Sequence, residues 1–380
     1  MMIERTTGLG GTIERLLGAA GIRVNGPDPW DFQVRNERVF ARILAHGSLG
    51  LGESYVDGDW DCTELDEFFH RLLRSGVQSQ APRNLKLLAA NLRARWMNMQ
   101  SVRRAFIPAQ VHYDLGNDLF EATFDTRVTG SCGYWRVATD LDAAQDAKLD
   151  LICRKLGLQS GQRVFDIGCG WGAFMKFAAE RYGAHCTGVT VSREQVAWGE
   201  QRCRGLPVRF ILGDYRKLPS DAMGPHDHLA SMGMFEHVGD KNHRRYLEIA
   251  HQLLKDDGLF VLHTIGSNDS THEIDPWLDK YIFPNAVLPS IAQIGTALEG
   301  LFVVEDWHNF GANYDNTLVA WFRKFGGNWP AISARYGERF YRLWKYYLLC
   351  CAGGFRARVI QLWQLVLSKQ GVPGGYLTVR

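Results

Sequence analysis

Seven consecutive residues, Asp166-Ile167-Gly168-Cys169-Gly170-Trp171-Gly172, carry the clearest chemistry in the chain. Glycines at alternate positions let a backbone turn sharply and let a ligand approach it closely, because no Cβ intervenes. Apolar Val164-Phe165 precedes the stretch, and Phe174, Phe177 and Ala178 follow at helical spacing. The loop therefore joins a strand to a helix and reads as a nucleotide-type site. A pyrophosphate would call for G-x-G-x-x-G and the positive end of the helix. Here the spacing is G-x-G-x-G and a carboxylate, Asp166, comes first. That carboxylate repels a pyrophosphate and suits the sulfonium and ammonium groups of S-adenosylmethionine (SAM). Gly168, Cys169, Gly170, Trp171 and Gly172 are thus expected to cradle SAM beside Asp166; the alternative is a tight turn packing a helix on a sheet.

Three further clusters fall where such a fold would use them. Thr190, Val191, Ser192 and Gln195 follow a second apolar run. Many nucleotide folds place an acid there for the ribose; here hydroxyls and an amide stand in that position and can bind a ribose. Asp214-Tyr215 follow a third run, and Asp214 can accept a hydrogen bond from an adenine amine. An ordinary turn or cap aspartate is the competing reading. Phe235-Glu236-His237 follow a fourth run, so Glu236 is expected in the crevice at the carboxyl ends of the strands.

Bringing several strand ends together requires an α/β scaffold. Apolar runs predict strands over 163–167, 184–190, 208–212, 227–232 and 258–264, with helices over 172–182, 193–203 and 242–255. That alternation predicts a mostly parallel sheet covered on both faces. Two more strands near 301–307 and 316–323 would complete a seven-stranded, Rossmann-like SAM-dependent methyltransferase sheet. Residues 336–367 read as one or two helices interrupted at Gly353-Gly354. A break near Phe106-Ile107-Pro108 divides the chain into a smaller domain, 1–107, and a catalytic domain, 108–380.

The 380 residues suit two domains, and the net charge of +2 is too small for a general affinity for nucleic acid. The 8 cysteines form no C-x-x-C pair, which fits a reduced cytoplasmic protein with neither a disulfide framework nor a metal site. No signal peptide and no run long enough to span a bilayer is evident, so membrane contact would be peripheral. Residues 82–104 place Leu85, Leu88, Leu92, Trp96 and Met99 at helical spacing among Arg83, Lys86, Arg93, Arg95, Arg103 and Arg104, with no acid. Such a basic amphipathic helix lies on an anionic membrane or packs between domains.

Longer strings carry a resemblance. HYDLGNDLF (112–120), SCGYW (131–135), DIGCGWG (166–172), GMFEHVG (233–239), VLHTIG (261–266), DPWLDKYIFPN (275–285), EDWHNFGANYD (305–315) and CAGGFRAR (351–358) resemble the cyclopropane-fatty-acyl-phospholipid synthase family. So does GSLGLGESYVDGDW (47–60) in the N-terminal part. The resemblance implies methyl transfer from SAM to a cis double bond of a phospholipid acyl chain, followed by proton loss and ring closure. It further implies a lipid-engaging N-terminal domain, a homodimer, and peripheral association with the inner face of the membrane. A sibling enzyme leaving a methyl branch, a small-molecule methyltransferase and a non-catalytic SAM- or lipid-binding protein are the competing readings.

The resemblance also implies a bound bicarbonate as base, held by Cys132, Glu236, His263, Ile265 and Tyr314. Those types are chemically coherent. His263 and the Tyr314 hydroxyl can donate to an anion, as can the backbone N–H groups of Cys132 and Ile265, while Glu236 accepts the bicarbonate hydroxyl. A fixed anion would also stabilise a nearby carbocation, and Tyr134, Tyr281 and Phe283 are candidates for cation–π help. The family pattern includes Cys351. A thiol nucleophile would trap the cation, so a structural role near the site is expected there. Ser131 is expected to touch SAM, although the preceding Gly130 replaces an aromatic residue frequent in the family.

Overall fold

The structure, a computed structural model, describes residues 9–76 and 116–380. Its centre is a seven-stranded sheet. The strands are β3 (Arg163–Ile167), β4 (His185–Thr190), β5 (Val208–Leu212), β6 (His226–Met232), β7 (Leu254–Ser267), β8 (Val303–Asn309) and β9 (Ile360–Ser368). Their order is β5-β4-β3-β6-β7-β9-β8. Strands β3 to β7 pair in parallel, and β9 is antiparallel to both β7 and β8. Strand order reverses on either side of β3, which opens a crevice at its carboxyl end.

Five of the expected strands and all three helices between them are present. The helix after the glycine loop (Ala173–Tyr182) starts at Gly172 and stops at Gly183, both left-handed, with φ of 79° and 66°. The next helix (Arg193–Arg202) is capped by Ser192, whose hydroxyl accepts from the Gln195 N–H. The strand near 301–307 is β8.

The last part of the chain differs from expectation. Residues 316–323 are not a strand; they lie in a long helical element, Ala312–Arg356, broken at Gly337. Tyr314, Thr317, Leu318, Trp321 and Phe325 are its buried positions there. They recur every three to four residues, a helical period that outweighs the β-preference of the residue types. The seventh strand is instead β9, read from sequence as helix because IQLWQLVLS is apolar without alternation. It is nearly all buried between two neighbours, and a strand covered on both faces has no polar side to display.

Gly353-Gly354 do not interrupt the helix either. A Cβ on Gly353 would lie 2.5 Å from Phe69 Cβ and 2.6 Å from the Asp66 carbonyl. The glycine lets the long helix cross Leu65–Arg74 at close range. Arg356 fastens the same crossing, reaching Asp66 at 2.6 Å, Asp315 at 2.9 Å and Glu67 at 3.3 Å.

The described N-terminal residues are mostly helical, Leu9–Ala19, Arg38–His46, Ser48–Val56 and Leu65–Arg74, with a short antiparallel ladder of β1 (Gln33–Val34) and β2 (Trp60–Asp61). One apolar cluster runs from Ile13, Trp60 and Phe68 into Trp344, Tyr346 and Leu348 of the long helix. The basic stretch 82–104 and the expected boundary at 107 lie outside the described residues.

Candidate active site

Two cavities meet at the carboxyl ends of the strands. The first, of about 240 Å³, is lined by Ser131, Gly168, Cys169, Gly170, Trp171, Thr190, Val191, Gln195, Asp214 and Tyr215, all expected from sequence. Gly170 has φ of 53°, and the nearest atom to a Cβ there is Gln195 Nε2 at 3.9 Å. The backbone is therefore open to a ligand at this glycine. Thr190 Oγ1 donates to Gln195 Oε1 at 2.6 Å, while Gln195 Nε2 is buried without a partner. That amide has a donor left for a ribose hydroxyl.

Two expected contacts lie off this cavity. Gly172 is not in the lining; a Cβ there would strike the Phe210 ring, so its role is helix–sheet packing. Asp166 is buried outside that lining, and neither carboxylate oxygen has a hydrogen-bond partner. Burial pushes it up to about 7, with Lys148 acting the other way. Asp214 is held by Arg216, which donates to it from Nε at 2.8 Å, from Nη2 at 2.6 Å and from its backbone N–H at 2.9 Å. It thus acts as the turn cap that competed with the adenine reading, while still lining the cavity.

The second cavity, of about 420 Å³, is walled by Phe120, Phe124, Trp321, Trp344, Tyr347 and Phe355 and also contains Glu236, His263, Ile265, Tyr314 and Cys351. The two cavities share Gly130, Ser131, Trp171, Gly233 and His237. A Cβ on Gly130 would come within 3.3 Å of the Phe124 ring, so the glycine keeps the junction open and leaves the aromatic wall to Phe124.

At the junction the polar groups are set by their surroundings. Glu236 Oε1 accepts the Ile265 N–H at 2.6 Å, and Oε2 is buried without a partner. The Ile265 N–H, which the resemblance assigned to an anion, is therefore donated to Glu236. Burial pushes Glu236 up to about 7 against that hydrogen bond. Gln364 Nε2 donates to His263 Nδ1 at 3.1 Å. With Nδ1 accepting, the imidazole proton sits on Nε2, which is buried and has no protein partner. Burial holds His263 well below its usual range, hence neutral, and holds the Tyr314 phenol protonated. His263 and Tyr314 thus supply neutral donors to one wall and Glu236 an acceptor.

Cys132 is not in the lining of either cavity; its thiol donates to the Gly133 carbonyl at 3.1 Å. Tyr134 packs on His308 and Phe310, and the Tyr281 hydroxyl donates to Glu53 at 2.9 Å, so of the three aromatic candidates only Phe283 faces the cavity. Sequence reading did not single out Gln364, Lys148 or His237 as lining or orienting groups. Lys148 had a legible signal. It shares one helical stripe with Ala144, Leu151 and Ile152 in Leu141–Lys155, an apolar position for a cation.

A parallel sheet with this glycine loop and this cavity defines a SAM-dependent methyltransferase. Its residues 100–365 match the mycolic acid cyclopropane synthetase family, and the chain belongs to that family. It is 50% identical over 365 residues to the cyclopropane-fatty-acyl-phospholipid synthase of Escherichia coli K12, covering 96% of this chain and 94% of that one. It is 33% identical to the tuberculostearic acid methyltransferase of Mycobacterium tuberculosis, over 94% and 88% of the two chains. Among solved structures, a mycolic acid cyclopropane synthase complexed with SAH and CTAB superposes with a TM-score of 0.64 at 31% identity, over 70% of this chain and 98% of that one.

Proposed function

We propose that the protein builds cyclopropane rings on unsaturated phospholipid acyl chains, transferring a methylene from SAM to a cis double bond, with bicarbonate as the base. The observation that carries this reading is the junction. An aromatic-walled cavity of about 420 Å³ meets the donor cavity beside His263 Nε2 and Glu236 Oε2, two buried atoms that no protein group satisfies, with Tyr314 in the same lining. Buried polar atoms left unpaired are costly, and a small oxyanion fits this set: it would accept from His263 Nε2 and Tyr314 and donate its hydroxyl to Glu236.

When bound, SAM supplies an electrophilic methyl and bicarbonate a base. The chain's own groups do the rest. Trp171, Gly233 and His237 separate donor from acceptor; burial holds His237 down to about 4 and so uncharged beside a developing cation. The aromatic wall excludes water that would quench a carbocation and presents ring faces to it. Glu236 keeps the anion's hydroxyl turned away, leaving a lone pair for the proton. Cys351 lines the wall, where a nucleophilic thiol would trap the cation, so its role is structural.

Residues 1–107 are proposed to engage lipid, with peripheral binding to the inner membrane face and a homodimeric assembly. Among the described residues no helix is long and apolar enough to cross a membrane. Turnover on unsaturated vesicles in carbonate-free buffer tests the base: it should fall and recover on adding bicarbonate, and turnover indifferent to bicarbonate contradicts it. Charge reversal at Arg93 and Arg95 should weaken binding to anionic vesicles, most at low salt; unchanged binding removes that segment from the lipid surface.

A further inference from the structure

Lys148 is fully buried. Its side chain leaves helix Leu141–Lys155 and lines the donor cavity, in contact with Ser131. Its ammonium makes one hydrogen bond, to Ser131 Oγ at 2.9 Å, although it has three protons to give. Among the described residues no carboxylate pairs with it at ion-pair distance. Of the acids whose field reaches it, Asp125 has its oxygens taken by the Thr129 N–H at 2.6 Å, the Arg127 N–H at 3.0 Å and the Thr129 hydroxyl at 3.1 Å. Asp166 is outside the cavity lining. A buried ammonium short of partners is expensive, and burial pulls this one down to about 8.

Its place in the cavity narrows what it serves. Asp214, Tyr215 and Arg216 line one part of the donor cavity, and Arg216 is engaged on Asp214. Ser131, next to Lys148, lines both cavities, so it marks the reacting side. A bare ammonium there would repel the sulfonium of the donor. An anion between them removes the repulsion, and the only anionic group on SAM is its carboxylate.

We propose that Lys148 binds the carboxylate of the donor's amino-acid tail, with Ser131 aligning the ammonium for it. The assignment rests on the methyl donor that the family defines and is independent of the acceptor lipid and of bicarbonate. The binding is read without turnover, by calorimetry with S-adenosylhomocysteine and with its decarboxylated analogue, which keeps the adenosine, the thioether and the amine.

Wild-type protein should prefer S-adenosylhomocysteine by roughly 10- to 100-fold, the range of a charge-assisted hydrogen bond. Lys148→Met should lose that preference while holding the analogue as wild type does, and Lys148→Arg should keep part of it. Ser131→Ala should retain most of the preference. A wild-type protein that binds both ligands equally overturns the proposal without any variant having to fold. So does a Lys148→Met protein that weakens both ligands alike, since that marks a lysine that only supports the loop. Failure of wild type to bind either ligand would instead remove the donor assignment itself.

Discussion

Replacing Glu236 by glutamine should stabilise the protein while removing its activity. Glu236 is 5% exposed, and burial moves its carboxyl from an ordinary 4.5 up to about 7, with the Ile265 N–H acting the other way. In the unfolded chain the group ionises as pH rises through 4.5; in the folded chain it keeps its proton until about 7. Between those values the folded state binds more protons, so stability falls as pH rises, and above about 7 the whole deficit is present. That difference corresponds to roughly 3 kcal/mol. Glutamine keeps an oxygen for the Ile265 N–H, which now lies 2.6 Å from Glu236 Oε1, and it does not ionise. The gain for Glu236→Gln should therefore be near zero at acid pH and about 3 kcal/mol by about pH 8, or about 4 °C in Tm for a chain of this length. Thermal unfolding of both proteins across that range, in bicarbonate-free buffer, measures it, with turnover on unsaturated vesicles read in parallel. A variant no more stable than wild type at alkaline pH, or a gain that does not grow with pH, would refute the reasoning that this carboxylate is held for function at a cost in stability.

Other expectations follow from the same geometry. Gln364→Leu removes the donor on His263 Nδ1 and frees the ring to change tautomer; turnover should drop by roughly 10- to 100-fold, the scale seen when an orienting partner of a functional histidine is lost, and nitrogen NMR of His263 should show the proton leaving Nε2. An unchanged tautomer would show that Gln364 does not set it. Gly353→Val should cost about 1–3 kcal/mol by overpacking the helix crossing, whereas Gly354→Ala, whose Cβ would first meet Ile360 at 3.4 Å, should be nearly neutral; equal Tm values for the two variants would remove the close crossing as the reason for glycine.

The lining of the first cavity was legible because its residues follow strand ends in sequence, and strand ends converge in an open α/β sheet. Gly168 to Trp171, Thr190, Gln195 and Asp214 could be placed from local pattern alone. The second cavity was not legible in that way. Phe120, Trp321, Trp344 and Tyr347 are far apart in sequence and come together only through the long helix, and an aromatic lining residue has the same type and spacing as a core one. The misread 316–323 and 360–368 segments show the same limit. In the first, residue type opposed the helical period; in the second, burial on both faces erased the alternation that marks a strand. Gln364 was hidden by that error, because its contact with His263 exists only when β9 is paired with β7. Asp166 is the reverse case: it belongs to the motif, yet it is buried outside the lining of the first cavity.

The most direct measurement is the fate of the methyl hydrogens. The protein is incubated with SAM bearing a trideuterated methyl group and vesicles of a cis-unsaturated phospholipid, and the acyl chains are analysed by mass spectrometry. The account predicts chains that gain one carbon, keep two of the three deuterons and no longer contain an alkene. Chains that keep all three deuterons as a methyl branch, or chains that gain no carbon at all, would contradict it.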